Sequence, residues 1–274
     1  MKLCCTSWSF PALTLPEIVG LARVLGFPAI DIGLFYRSAL DRQRVLSDPQ
    51  GYATELRQLG MRFSNIYWLF GGDLAERNLA TAAGRAANRA DLERVVQFCQ
   101  AASIPSIMIL PGIVNPGQSR NQAIAESIVS LRELVPVAEA GRVKLAIEPH
   151  VHSLAESPGV VEQILAAVPG LGLVLDYAHF VCLGYRQEEI DPLARSAVHI
   201  HLRQARAGAL QSKLALGTIN FAALIGQLRE VGYQGYLAVE YVHQEYMGTL
   251  HDDVLTETVQ MRDLVRQQFE RGGA

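Results

Sequence analysis

Short apolar runs alternate along the chain with longer stretches in which apolar residues recur at helical spacing. The short runs are rich in β-branched and aromatic residues, which is typical of buried strands. The pattern predicts eight strands, over Leu3–Ser9, Ala29–Phe35, Arg62–Leu69, Ser106–Leu110, Lys144–Glu148, Gly172–Asp176, Ala197–Leu202 and Tyr236–Tyr241. It also predicts helices that begin near Leu15, Pro49, Arg85, Arg120, Pro158, Glu188, Phe221 and Asp252.

This alternation predicts an α/β fold. Strictly alternating strand–helix units require parallel strands. Eight units in 274 residues match the usual size of a closed (β/α)8 barrel. We therefore predict one TIM barrel domain over residues 1–274. An open, doubly wound sheet is the alternative, but no Gly-x-Gly-x-x-Gly motif follows the first predicted strand.

The last four predicted strands carry polar residues at their C-terminal ends, where the chemistry of such barrels takes place. These residues are Glu148, Asp176, His201 and Glu240. Because side chains alternate along a strand, an inward orientation of these four turns their apolar neighbours outward, toward the helices. The predicted outward residues are Leu145, Ile147, Leu173, Leu175, Val198, Ile200, Leu237 and Val239.

Three carboxylates and one imidazole at the same height of a barrel predict a metal site. Carboxylates packed together repel and raise one another's pKa unless a cation neutralises them. Mostly oxygen donors with one nitrogen favour Mn²⁺ or Mg²⁺, and Co²⁺ or Zn²⁺ also fit. A single acidic strand end is more often a salt bridge or a helix cap, but four in register favour one divalent ion.

Composition excludes several classes of function. The formal charge is −3, from 24 basic and 27 acidic residues, and no long basic run favours nucleic acid or an anionic membrane. The most apolar early stretch, residues 18–35, contains Arg23 and Asp31, so no membrane span is predicted. The four cysteines lack metal-ligand spacing, and we expect buried, reduced thiols in a cytoplasmic protein.

Histidine and lysine are distributed unevenly. All seven histidines lie at or beyond His150, in the half that carries the polar strand ends. The three lysines are placed at predicted strand starts or in a loop, which argues against Schiff-base chemistry inside the barrel. The chain also has no Gly-x-Ser-x-Gly motif to support a serine hydrolase.

Four segments resemble the sugar phosphate isomerase/epimerase family of the xylose-isomerase-like TIM barrel superfamily. They are Ala-Ile-Glu148-Pro-His150, Leu-Asp176-Tyr-Ala-His179-Phe, His199-Ile-His201-Leu-Arg203 and Gly232-Tyr-Gln-Gly235 with Val-Glu240. The resemblance implies that Glu148, Asp176, His201 and Glu240 are metal ligands and that the two glutamates are also the acid/base pair. It implies that His179 contacts substrate oxygens.

The chain departs from the ketose 3-epimerases of that family at two positions. Arg203 and Arg206 lie near the position of an arginine that contacts sugar hydroxyls, but the matching position is Ala207. A further family glutamate is replaced by Leu154, with Glu156 nearby. We expect Arg203, His150 and Trp8 to contact the substrate. Tyr67 and Trp68 are expected to serve packing instead.

These residues predict a divalent-metal-dependent isomerase or epimerase of a small sugar, keto-polyol or keto-acid. Proton abstraction beside a carbonyl would pass through a metal-stabilised enediolate. The alternative is a lyase that dehydrates a cyclic keto-polyol such as an inosose. A DNA-repair endonuclease is disfavoured because its early histidines are missing, and a non-catalytic binding barrel because all four ligand positions are kept. A homo-oligomer is compatible with the prediction.

Overall fold

Eight parallel strands close into a barrel in the computed structural model, which describes residues 1–35, 38–251 and 253–271. Each strand pairs with the next along the chain, and the eighth pairs with the first, so the predicted (β/α)8 fold is confirmed. The strands are β1 (Lys2–Thr6), β2 (Ala29–Gly33), β3 (Arg62–Tyr67), β4 (Ser106–Ile109), β5 (Lys144–Ile147), β6 (Gly172–Asp176), β7 (Ala197–Leu202) and β8 (Tyr236–Val239).

Helices surround this barrel. Those of the described residues are α1 (Leu15–Val24), α2 (Arg42–Ser47), α3 (Pro49–Gln58), α4 (Arg85–Ala102), α5 (Arg120–Ala140), α6 (Pro158–Ala167), α7 (Tyr177–Cys182), α8 (Gln187–Ile190), α9 (Phe221–Glu230) and α10 (Val254–Arg271). Short 3₁₀ turns span Ser7–Ser9, Asp191–Ser196 and Leu214–Leu216. The start predicted at Asp252 lies outside the described residues. None of the described helices combines the length and apolar character that crossing a membrane requires.

Most strands are shorter at their C-terminal ends than predicted. β5 ends at Ile147 and β8 at Val239, so Glu148 and Glu240 each lie one residue beyond a strand. The neighbouring strands still hold both backbones, because the Glu148 N–H donates to Ile109 O at 3.0 Å and the Glu240 N–H donates to Leu202 O at 2.9 Å. The loops therefore diverge only after these two side chains have been placed.

The predicted alternation of inward and outward residues is observed with one exception. The core between the barrel and the helices contains all the predicted outward residues except Val198, namely Leu145, Ile147, Leu173, Leu175, Ile200, Leu237 and Val239. The pairing of β6 and β7 shifts by one residue between Leu173 and Val174, and Val198 packs against the cluster inside the barrel instead of the helices. A bulge of this kind changes the face that one residue presents.

A side-chain cap sets the start of α5. The Ser119 hydroxyl accepts from the N–H of Gln122 at 3.3 Å, and the Gln122 side chain accepts from the N–H of Ser119 at 2.9 Å. This reciprocal pair satisfies two N–H groups that have no partner within the helix. The cap therefore fixes where the helix on the β4 side of the barrel begins.

We expect Ser119→Ala to lower the free energy of unfolding by about 0.5–2 kcal/mol, because the cap is lost. Urea denaturation followed by circular dichroism measures the change. Ser119→Asp, which keeps an acceptor at the cap, is the matched control and should retain wild-type stability. Equal loss in both variants would show that the cap does not contribute.

Candidate active site

The C-terminal end of the barrel buries the four residues predicted as metal ligands. Two of them meet at the imidazole of a third. Nδ1 of His201 lies 2.8 Å from Oε1 of Glu148 and 3.1 Å from Oε2 of Glu240. Each of these three residues offers a ligand atom within 4.8 Å of the other two. The β5, β7 and β8 ends thus converge on one point.

Asp176 lies beside this group but has different partners. Its Oδ1 accepts from the N–H of Ala178 at 2.8 Å and caps α7, which begins directly after β6. Its Oδ2 lies 2.8 Å from Nη2 of Arg203. Asp176 is aligned with His201 across the β6–β7 pairing, as expected for residues at equivalent height. Arg203 lies between Asp176 and Glu240 and contacts both carboxylates.

Arg203 is the buried cation of the site. Its Nη2 lies 3.0 Å from Nε2 of His179 and 3.9 Å from Oε2 of Glu240, in addition to its contact with Asp176. Burial lowers the pKa of His179 well below its ordinary value, and the neighbouring His150 and Arg203 lower it further. His179 is therefore a neutral imidazole next to a fixed positive charge.

Burial and charge give the two glutamates opposite shifts. Burial raises the pKa of Glu148 to about 7, although its hydrogen bond with His201 acts in the other direction. Burial also opposes ionisation of Glu240, but Arg203 and His201 outweigh it and lower the pKa of Glu240 to about 2. Two carboxylates on one imidazole thus differ in proton affinity, which is a common arrangement of an acid and a base.

A cavity of about 820 Å³ opens above these carboxylates, and Glu148, Glu240 and Arg203 form part of its lining. Nε1 of Trp8 donates to Oε1 of Glu240 at 2.8 Å, so the indole both walls the cavity and orients the carboxylate. Phe35 and Tyr67 pack against Trp8, with ring centroids 6.0 and 6.3 Å away. Tyr67 therefore lines the cavity as well as packing, whereas Trp68 is fully buried in the core under the helices.

The loop after β5 contributes two further histidines. His150 is half-buried and lines the cavity, and its ring centroid lies 4.2 Å from that of His179. Burial lowers the pKa of His150 to about 4. His152 is exposed, and its Nδ1 lies 3.1 Å from the hydroxyl of Tyr246 at the rim. The expected proximity of His150 to the pocket is thus present in the structure.

Asp31 is a component of this region that the sequence analysis did not select as functional. It lies in the middle of β2, is fully buried, and places Oδ2 3.0 Å from Nε2 of His201 and 2.9 Å from Nε2 of His199. A signal was present in the sequence, because a lone carboxylate between Ile30 and Ile32 is unusual inside a buried strand.

The donors around His201 fit a divalent ion. Oε2 of Glu240 and Oδ2 of Asp176 are buried atoms that lie within ion-pair distance of His201 and Arg203 but meet no described donor in hydrogen-bond geometry. Buried carboxylate oxygens of this kind are stabilised by a cation. Carboxylate oxygens with one imidazole nitrogen suit Mn²⁺ or Mg²⁺, and Zn²⁺ or Co²⁺ are also compatible. The metal-competent group of Glu148, His201 and Glu240 is therefore chemically suited to the ion predicted from the sequence.

The barrel and its buried carboxylate–histidine cluster define a class of α/β barrel proteins with a metal-competent site at the C-terminal strand ends. The chain belongs to the xylose isomerase-like TIM barrel family, whose sequence profile matches residues 19–264. This confirms the family resemblance carried by the four motif segments.

Individual proteins are similar over most of the chain. A putative hydroxypyruvate isomerase from Homo sapiens is 26% identical over 254 residues, covering 86% of this chain and 87% of that protein. An inosose isomerase from Halalkalibacterium halodurans is 25% identical over 168 residues, covering 57% of this chain and 60% of that protein. The crystal structure of the IOLI protein with a bound zinc atom superposes with a TM-score of 0.74 at 18% identity, covering 98% of this chain and 99% of that one.

Proposed function

We propose that this protein is a divalent-metal-dependent isomerase or epimerase of a small hydroxylated ketone, keto-polyol or keto-acid. The observation that carries the proposal is the pair of buried carboxylates, Glu148 and Glu240, which share His201 and the same cavity but differ in proton affinity. The similarity to proteins named as hydroxypyruvate and inosose isomerases supports the same class of reaction.

The proposed metal ligands are Glu148, Asp176, His201 and Glu240. When bound, a divalent ion would polarise the substrate carbonyl and make the hydrogen on the neighbouring carbon more acidic. The ion would share with Arg203 the balancing of the charges on Asp176 and Glu240, which frees the guanidinium to contact substrate oxygens.

The two glutamates would move the proton. Glu240 is held ionised by Arg203 and His201, and its orientation is fixed by the indole N–H of Trp8, so it is the proposed base. Glu148 has the higher proton affinity of the two, with a pKa that burial raises to about 7 in the metal-free site, and is the proposed acid. Donation of a proton by Glu148 to the other face of the same carbon gives epimerisation, and return by Glu240 of the abstracted proton to the adjacent carbon gives isomerisation. General acid–base catalysis of this type contributes about 10²–10⁴-fold to a rate.

Several residues around the two carboxylates would bind and enclose the substrate. His179 and Arg203 present an imidazole and a guanidinium beside the carboxylates, and the ring of His150 packs against that of His179. Trp8 offers an aromatic face that suits the C–H surface of a sugar or polyol. Together with Tyr67 and Phe35, it would keep water away from the carbon that loses its proton.

Deuterium exchange tests this function directly. The Mg²⁺-loaded protein would be incubated in D₂O with hydroxypyruvate, inososes and ketoses, and the products followed by proton NMR. We expect deuterium at the carbon beside the carbonyl of one substrate, with formation of its isomer or epimer. Loss of water from the substrate would instead identify a dehydratase. No exchange with any compound, together with no retained metal after purification, would contradict the proposal.

Metal affinity is expected to rise with pH. The pKa of Glu148 is raised to about 7, and that of His201 is raised well above its ordinary value because the surrounding carboxylates outweigh its burial. A metal ion must displace these protons, so the affinity should increase about tenfold per pH unit for each proton released. Calorimetric titration with Mn²⁺ in buffers of different ionisation enthalpy measures both the affinity and the number of protons released. A pH-independent affinity without proton release would contradict this expectation.

A further inference from the structure

Asp31 contacts His201 from a strand that is not its neighbour in the barrel. It belongs to β2, whereas His201 belongs to β7, and its fully buried carboxylate lies between the His199 and His201 rings. Its Oδ2 is 3.0 Å from Nε2 of His201, a hydrogen-bonding distance. This contact is made on the side of the imidazole that faces away from the two glutamates.

The two nitrogens of His201 therefore face different partners. Nδ1 faces Glu148 at 2.8 Å and Glu240 at 3.1 Å, and Nε2 faces Asp31. A neutral imidazole carries its proton on one nitrogen and a lone pair on the other. In the metal-free site both nitrogens face carboxylate acceptors, so both can carry a proton. When a divalent ion takes the place of the Nδ1 proton, Asp31 accepts the remaining proton on Nε2, which leaves the Nδ1 lone pair for the ion.

Two further strands hold Asp31 in place. Nδ2 of Asn65, on β3, lies 3.2 and 3.4 Å from the two carboxylate oxygens of Asp31 and donates to them. The hydroxyl of Ser106, on β4, donates to Oδ1 of Asn65 at 2.7 Å. Since that oxygen is occupied by the serine, the amide presents its N–H₂ group to Asp31. A buried chain of hydrogen bonds thus runs from β4 through β3 and β2 to His201.

We propose that Asp31 is a positioning residue, which holds His201 in the tautomer and ring orientation that direct Nδ1 to a divalent ion. The inference rests on the proposed function, since it assumes that His201 is a metal ligand. A carboxylate behind a metal-binding imidazole fixes its tautomer and raises its basicity, and loss of such a partner typically weakens metal binding about 10–100-fold. Asp31 would act without touching the substrate or the ion.

Asp31→Asn tests the proposal, because it keeps the shape of the side chain and removes the charge. We expect the Kd for Mn²⁺, measured by calorimetry or by electron paramagnetic resonance, to rise about 10–100-fold. Ser64→Ala is the matched control. Ser64 is buried on β3 beside Asn65, but its hydroxyl contacts Sγ of Cys4 at 3.3 Å, not Asp31. The control should bind Mn²⁺ as the wild type does.

A spectroscopic measurement separates positioning from general damage. In the Zn²⁺-loaded wild type, ¹⁵N-labelled histidine should show His201 with a protonated Nε2 whose proton resonates at low field because of the carboxylate. In Asp31→Asn this resonance should move upfield or exchange with solvent. Ser106→Ala, which loosens Asn65 without changing Asp31, should give smaller changes in the same direction and serves if Asp31→Asn folds poorly.

Several outcomes would overturn the inference. The first is an Mn²⁺ affinity of Asp31→Asn within twofold of the wild type. The second is an equal loss of Mn²⁺ affinity in Ser64→Ala. The third is two bound ions per wild-type chain but one in Asp31→Asn, which would make Asp31 a ligand. The binding measurement needs no substrate. A wild type that binds Mn²⁺ but exchanges no proton would contradict the proposed function and leave this inference in place. A wild type that binds no divalent ion would overturn both.

Discussion

Glu240→Gln is expected to lower the rate of deuterium exchange beside the substrate carbonyl by about 10²–10⁴-fold. Glutamine keeps the shape of the side chain and can still contact Trp8, but it cannot accept a proton. NMR in D₂O measures the exchange rate. Bound metal is determined on the same samples, so that loss of the base is distinguished from loss of the ion.

Two further variants define what this result means. Glu245→Gln alters an exposed glutamate that lines the same cavity, and it should retain nearly full exchange. Glu148→Gln removes the proposed acid, so we expect proton removal to persist while formation of the epimer is lost. Wild-type exchange in Glu240→Gln with bound metal would show that Glu240 is not the base.

Arg203→Met is expected to lower the free energy of unfolding of the metal-free protein by about 3–5 kcal/mol. Arg203 is buried between Asp176 and Glu240, and removing it leaves two carboxylates in the barrel without this positive charge. Urea denaturation of the chelator-treated protein measures the loss. Saturating Mn²⁺ should stabilise the variant more than the wild type, because the ion neutralises the same carboxylates.

A surface arginine provides the comparison. Arg195 precedes β7 and pairs with Glu162 at 3.4 Å, and both side chains are largely exposed. Arg195→Met should change stability by less than about 0.5 kcal/mol, and Mn²⁺ should affect it as it affects the wild type. Arg203→Met with wild-type stability in the absence of metal would show that the buried pairs contribute little.

The local sequence pattern determined the architecture of this protein. Alternating strand and helix patterns predict parallel strands, and their number predicts the closed barrel that the structure contains. Period-two alternation also placed Glu148, Asp176, His201 and Glu240 at one end of the barrel, since facing and height along a strand are local properties.

Only the tertiary structure decided which side chains meet across the barrel. Asp31 reaches His201 because closure brings the inward side chains of the non-adjacent strands β2 and β7 together. Arg203 occupies the space between Asp176 and Glu240. The pairing register shifts in the β2–β3 and β6–β7 pairs. In the second pair the shift accompanies an inward orientation of Val198, where period-two alternation predicts an outward one. Periodicity fixes the direction of a side chain relative to its own strand. Its partners depend on strand closure and register, which are long-range properties that the local pattern does not contain.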